Sequence, residues 1–197
     1  MSKGARTKEQ VVERAAALFN QLGYQAASIS DVMAATGLQK GGIYRHFQNK
    51  DELALAAFDF AVERMAERFR EALAGHCSAP ERLRAVLSVY QRLPVDPPVP
   101  GGCPLLNAAV EADDAYPALR ERAKVALGGL KRLLREILRD GIARAELRAD
   151  INVDGTVHVM VASLEGAVMM CKLSGNQQSM RYLAEHWDAW LVSLSND

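Results

Sequence analysis

Between positions 39 and 46 the sequence QKGGIYRH sets an amide, an ammonium, a phenol, a guanidinium and an imidazole within eight residues. Gln39, Lys40, Tyr44, Arg45 and His46 share one kind of chemistry, hydrogen bonding to anionic oxygens and base edges. Arg45 has the fork geometry to read guanine, and equally the charge to clamp a phosphate. Other reactive groups are scattered. His76, His158 and His186 lie far apart in the chain, without a nucleophile elbow, phosphate loop or metal-binding pair beside them. No catalytic residue, metal site or cofactor is expected, and binding is the chemistry to explain.

The elements that must position the 39–46 cluster lie within Ser28–Asp51. Ser28 with Asp31 three residues on is a capping-box start, and Ile29, Val32 and Met33 keep helical spacing. Gly37 ends that helix where a left-handed backbone suits glycine. A second short helix is expected over Lys40–Phe47, with Ile43 and Phe47 one turn apart and facing inward. This is the helix-turn-helix layout, whose second helix enters the DNA major groove. Ser28, Ser30, Gly41, Gly42 and Lys50 complete the expected DNA-facing set. The glycine pair costs ~1 kcal/mol each against alanine in a helix. Close approach of backbone to DNA and weak helicity offset by ordering on the operator are both open readings.

Here the chain resembles the DNA-binding domain of TetR/AcrR-type transcriptional regulators. The resemblance rests on Gly37, then Lys40-Gly41-Gly42-Ile43-Tyr44-Arg45-His46-Phe47, then Asn49-Lys50-Asp51-Glu52-Leu53, with Ala15, Leu18, Phe19, Gly23 and Tyr24 upstream. It implies a phosphate contact at Tyr44, a phosphate or base-edge contact at Lys40 and a phosphate hydrogen bond at His46. Many relatives carry a hydroxyl residue where this chain has Gly42, which leaves base readout there in question.

Charge agrees with a head that binds nucleic acid. Lys and Arg balance Asp and Glu at 24 each over 197 residues, but residues 1–50 hold seven basic against three acidic side chains, a net +4. A basic end on an acidic body suits a polyanion partner at one end only. Half the residues are hydrophobic, enough for packed cores. No run is expected to reach the ~18 apolar residues that span a bilayer. The N-terminus has no apolar signal core, so a cytoplasmic protein with no membrane partner is expected. Cys77, Cys103 and Cys171 read as free thiols.

The expected fold is all-α with about nine helices, divided into a helix-turn-helix domain over 1–50 and a helical effector-binding and dimerisation domain over 51–197. An amphipathic helix over Arg6–Leu22 braces the motif, with Phe19, Val32, Ile43 and Phe47 as a shared core. Lys3, Arg6 and Lys8 near its start are either phosphate contacts or solvated side chains. Asn49 caps a long helix to about Ala74, the link from head to body. Ser78-Ala79-Pro80-Glu81 starts the next helix. Pro94–Gly102 is an extended loop, and a short helix follows from Cys103-Pro104 to Glu111. Another helix starts at Asp113-Asp114-Ala115-Tyr116-Pro117 and runs to about Arg144. Asn152 and Asn176 cap the last two helices, Val153–Ser174 and a stretch ending near Leu194.

The Gly-Cys at 102–103 with Asn107 and Glu111 downstream resembles a subset of the family in which, in some relatives, that cysteine senses electrophiles. A thiol at a helix start has its thiolate stabilised by free N–H groups; a small buried capping residue is the alternative. The expected effector-binding set is Met65, Phe69, Tyr90, Cys103, Leu106, Asn107, Glu111, His158, Glu165 and Met169. The apolar stripe of the last helix could equally pack inside one chain; the resemblance implies that the last two helices pair across a homodimer, through Val157, Val161, Leu164, Val168, Leu183, Trp187, Trp190 and Leu191. The whole describes a ligand-responsive regulator, a repressor first, with double-stranded operator DNA, a small-molecule effector and a second copy of itself as partners. An enzyme or an architectural DNA-binding protein is the competing class.

Overall fold

A computed structural model describes residues 2–112 and 116–195. Among these residues the chain is all-helical, with nine helices: α1 Lys3–Leu22, α2 Ile29–Thr36, α3 Lys40–Tyr44, α4 Lys50–Leu73, α5 Ala79–Arg92, α6 Pro104–Glu111, α7 Pro117–Ala143, α8 Val153–Ser174 and α9 Gln178–Leu194. The start expected at Asp113–Ala115 lies outside the described residues.

Local chemistry sets most boundaries. Ser28 accepts from the Asp31 N–H and Asp31 accepts from the Ser28 N–H, a reciprocal box that opens α2. Gly37 closes it at φ 71°. Ser78 and Glu81 repeat the box at α5, and Asn49 Oδ1 takes the Glu52 N–H at α4. Three expectations shift. α1 starts at Lys3 rather than Arg6, with Ser2 as its N-cap accepting from the Ala5 N–H. α3 stops at Tyr44 rather than Phe47, since two glycines among five residues leave little intrinsic helicity. The N-cap of α9 is Gln177, and Asn176 instead accepts from the Gln178 N–H in the turn before it.

The described residues pack as two compact units, Met1–Met65 with Pro97–Ala126, and Ala66–Asp96 with Leu127–Asp197. α6 and the first turns of α7 fall in the first unit with the N-terminal helices. In the first unit Phe19, Val32, Ile43 and Phe47 are buried together, as their spacing predicted, joined by Leu53, Phe58, Ala108 and Leu119. Phe19 stacks on Tyr24, which meets Phe58 edge-on. In the second unit α5, α8 and α9 pack on one another.

Helix α8 overturns one expectation. With few charges in 22 residues it is long and apolar enough to cross a bilayer, at mean hydropathy 1.3 over its best 18 residues. Its inner residues Val157, Met160, Leu164 and Val168 are instead buried within the chain.

Candidate nucleic-acid interface

Helix α3 is anchored from beneath. Ile43 is fully buried and Phe47 nearly so. At 100° per residue, Gly41 and Arg45 then lie on the side opposite Ile43, and both are exposed. Lys40 and Tyr44 flank this ridge, the Lys40 ammonium 5.9 Å from the Tyr44 ring centroid. Gln39 is the N-cap but its side chain caps nothing, leaving the amide outward and exposed. Ser30 is also exposed.

Three side chains of this surface have structural work. The Ser28 hydroxyl is engaged with Asp31, and hydrogen bonds from the Ser28 side chain and backbone hold the Asp31 carboxyl below the usual carboxylate range. Lys50 donates to the Gln25 carbonyl at 2.8 Å. Lys8 sits over the Phe47 ring, 5.2 Å from its centroid. The structure thus leaves Gln39, Lys40, Gly41 and Arg45 exposed, with Gly42, Tyr44 and His46 half-buried beside them.

Beneath the motif, sequence reasoning missed a polar joint. Asn20, buried near the end of α1, donates from Nδ2 to the carbonyls of Pro100 (2.9 Å) and Gly102 (3.1 Å). Asn107 of α6 donates to Asn20 Oδ1 (2.8 Å), to the Asn20 carbonyl (3.0 Å) and to the Gly101 carbonyl (3.0 Å). One turn further along α6, Glu111 accepts from the Gln25 N–H at 3.2 Å and packs against Gly23. Asn107 and Glu111, both in the expected effector set, make these contacts between α6 and the end of α1. The same region surrounds Tyr24, whose phenol is pushed above its ordinary value by burial and then by the charges of Glu111, Cys103 and Asp59. Tyr116 donates to the Asp51 carbonyl; burial and the Asp51 charge push its phenol up to about 12. The one hint in the sequence is glycine at 23 and 101, both at positive φ.

The remaining expected effector residues divide between the two units. Met65, Cys103 and Leu106 belong to the first. Cys103 is the N-cap of α6 as expected, buried. In the second, Tyr90 of α5 donates to Glu165 Oε1 at 2.9 Å, and the Phe69 ring lies 6.1 Å from that of Tyr90. Glu165 Oε2 is also shielded from solvent. His158 and Met169 do not join them: His158 is exposed, between Lys131 Nζ at 3.0 Å and the Asp154 carbonyl at 2.8 Å, and Met169 is 45% exposed. An open cleft of about 680 Å³ is lined by Gln91, Gln178, Arg181 and neighbours, and by none of the expected effector residues.

The expected dimer residues differ in burial. Val157, Val161, Leu164, Val168, Trp187 and Leu191 are buried in the chain's own packing, and Leu183 and Trp190 are half-buried. The large apolar residues left outside are Val159, Met169, Met170 and Leu173 on α8 and Tyr182 and Val192 on α9. Both sides of these helices are apolar, so periodicity could not say which side turns inward.

Residues 11–57 match the family of bacterial regulatory proteins, tetR family, and residues 79–187, more than half of the chain, match the tetracyclin repressor-like C-terminal domain. The chain belongs to the TetR family of transcriptional regulators. A TetR transcriptional regulator from Chloroflexus aurantiacus is 43% identical, with a TM-score of 0.95 over 99% of this chain and 98% of that one. An uncharacterised HTH-type transcriptional regulator of Mycobacterium tuberculosis is 32% identical over 108 residues, so the chain spans about half the length of that relative (54%). The HTH-type transcriptional repressor DhaR of a Mycobacterium species is 24% identical over 98% of this chain and 97% of its own. These TetR relatives are regulators, not enzymes.

Proposed function

We propose that this TetR-family chain is a ligand-responsive repressor that binds a two-fold operator as a homodimer in the cytoplasm, where that DNA lies. The observation that carries the reading is α3: a short helix held from below by Ile43 and Phe47, with Lys40 and Arg45 exposed and the half-buried Tyr44 ring beside the Lys40 ammonium. Residues 1–50 form the DNA-binding part in this account. Residues 51–197 bind the effector and dimerise, while α6 is fastened to the head. The aromatic and acidic group of Phe69, Tyr90 and Glu165 is the nucleus of the effector site. Burial of Cys103 favours a non-covalent effector over electrophilic attack on its thiol. The exposed apolar residues of α8 and α9 meet the second copy, and dimerisation sets two α3 helices ~34–36 Å apart on the operator. The name of DhaR supports repression over activation. Selection of genomic fragments on the full-length protein, followed by footprinting, tests the reading. Two-fold protection that weakens steeply with salt is expected. Absence of saturable, sequence-preferring duplex binding sinks it.

A further inference from the structure

We propose that Arg14, on α1, is a positioning residue for operator binding: its guanidinium clasps the C-terminal end of α2 and so fixes where the turn of the motif delivers α3. The inference rests on operator binding through α3. Arg14 Nη1 donates to the Ala35 carbonyl at 3.0 Å, between residues 21 positions apart. The last carbonyls of an α-helix have no partner within it, and α2 carries no basic residue in its own last turn. The Gly37 N–H donates to the Met33 carbonyl at 2.8 Å. Arg14 supplies the donor for Ala35, and it sets a cation at the negative end of the helix dipole.

The start of α3 depends on that end of α2. Only Gly37, Leu38 and Gln39 separate the two helices. α3 is five residues long with two glycines, and its N-cap Gln39 makes no side-chain cap, so its own helicity does little to place it. Ile43 and Phe47 hold it in the core from below. Thr36 Oγ1 accepts from the Leu38 N–H at 3.3 Å, which ties the turn to the same last residues of α2 that Arg14 holds. As one of seven basic residues in 1–50, Arg14 has the charge for a phosphate contact. Its place gives it other work. Ser28 and Ser30, expected to face DNA, stand at the start of α2, and Ala35 lies about 10 Å further along the axis. Within α1 the residues three and four away are Gln10, Val11, Ala17 and Leu18, none acidic, so no ion pair at helical spacing draws the guanidinium elsewhere.

The test uses the full-length protein and the duplex it enriches from a random-sequence library. Arg14→Ala, Arg14→Lys and Lys40→Ala are compared with the unaltered chain for affinity across a salt series, well below their thermal midpoints. Arg14→Ala is expected to lose about three- to tenfold in affinity, the scale of one hydrogen bond from a charged donor exposed to water. Its slope of log affinity against log salt should stay that of the unaltered chain. Arg14→Lys keeps a cationic donor for the Ala35 carbonyl and should recover most of the loss. Lys40→Ala, at an exposed cation of α3, should instead lower the slope by about 0.9. The same lowering in Arg14→Ala overturns the inference and makes Arg14 a phosphate contact. Unchanged affinity in Arg14→Ala also overturns it, whatever the midpoint does, because the clasp then serves the fold alone. Failure of the unaltered protein to enrich any duplex is a different result, since it removes the operator reading itself.

Discussion

Asn20 and Asn107, 87 positions apart, are joined by a 2.8 Å hydrogen bond from Asn107 Nδ2 to Asn20 Oδ1, inside a buried network that closes the 100–102 loop against the end of α1. An amide suits position 20, which donates from Nδ2 and accepts at Oδ1 at once, and position 107, whose Nδ2 donates to all three oxygens; a carboxylate could supply neither donor. Asn107→Ala removes the donor and leaves Asn20 Oδ1 and two carbonyls short of a partner. Its expected cost is about 1–3 kcal/mol, a fall of several degrees in the thermal midpoint. Asn20→Asp should be worse than Asn107→Ala, because it turns a carboxylate oxygen toward the carbonyls of Pro100 and Gly102. Calorimetry of the two variants checks the order; equal midpoints would remove the joint from the account.

Gly101 and Gly102 offer a comparison that separates backbone strain from crowding. Both have positive φ, at 111° and 88°, so alanine is strained at either. Only at Gly101 does a Cβ overlap a neighbour, the Asn20 carbonyl, whereas the space around Gly102 is open. Gly102→Ala is expected to cost about 1–3 kcal/mol. Gly101→Ala adds an overpacking term of similar size. Denaturant unfolding of the pair gives the difference directly.

The capping box at the start of α2 carries a pH signature. Hydrogen bonds from Ser28 lower the Asp31 pKa, so the unfolded chain takes up that proton at a higher pH than the folded one. The stability this linkage contributes is present above the ordinary aspartate value, ~3.9. It is lost as pH falls through the lower folded value. An NMR titration of the Asp31 carboxyl should show a midpoint below the ordinary one, moving back up in Ser28→Ala. No movement would mean that the Ser28 bonds do not govern the charge.

What the sequence made legible was local. The Ser28–Asp31 box, the left-handed Gly37 and the Ile43–Phe47 pair each act within a turn or two, and the bounds of α8 came out the same in sequence and structure. The joint of α6 to α1 was not legible, because two asparagines 87 positions apart carry no periodic signal. Nor does the sequence show the contacts of Asn107 and Glu111 within the chain, because a polar residue on a short helix looks alike whether it serves a ligand or the chain. The two-sided apolarity of α8 concealed which residues close the chain's own packing and which remain for a second copy.

That last ambiguity gives a prediction with opposite outcomes for the two sides of one helix. Leu173 is 82% exposed on α8, while Leu164 is fully buried. If the chain were a monomer, Leu173→Glu would be a surface change worth no more than about 0.5 kcal/mol. In the proposed dimer Leu173 adjoins Met170 on α8, and a carboxylate there must be desolvated against the partner. Sedimentation equilibrium should therefore show dimer for the unaltered chain and monomer for Leu173→Glu, with helical circular dichroism retained. Leu164→Ala should do the reverse, losing about 2–5 kcal/mol of stability through the cavity it leaves. If both variants sediment as the unaltered chain does, Leu173 lies outside the interface and the exposed apolar side of α8 does not hold the second copy.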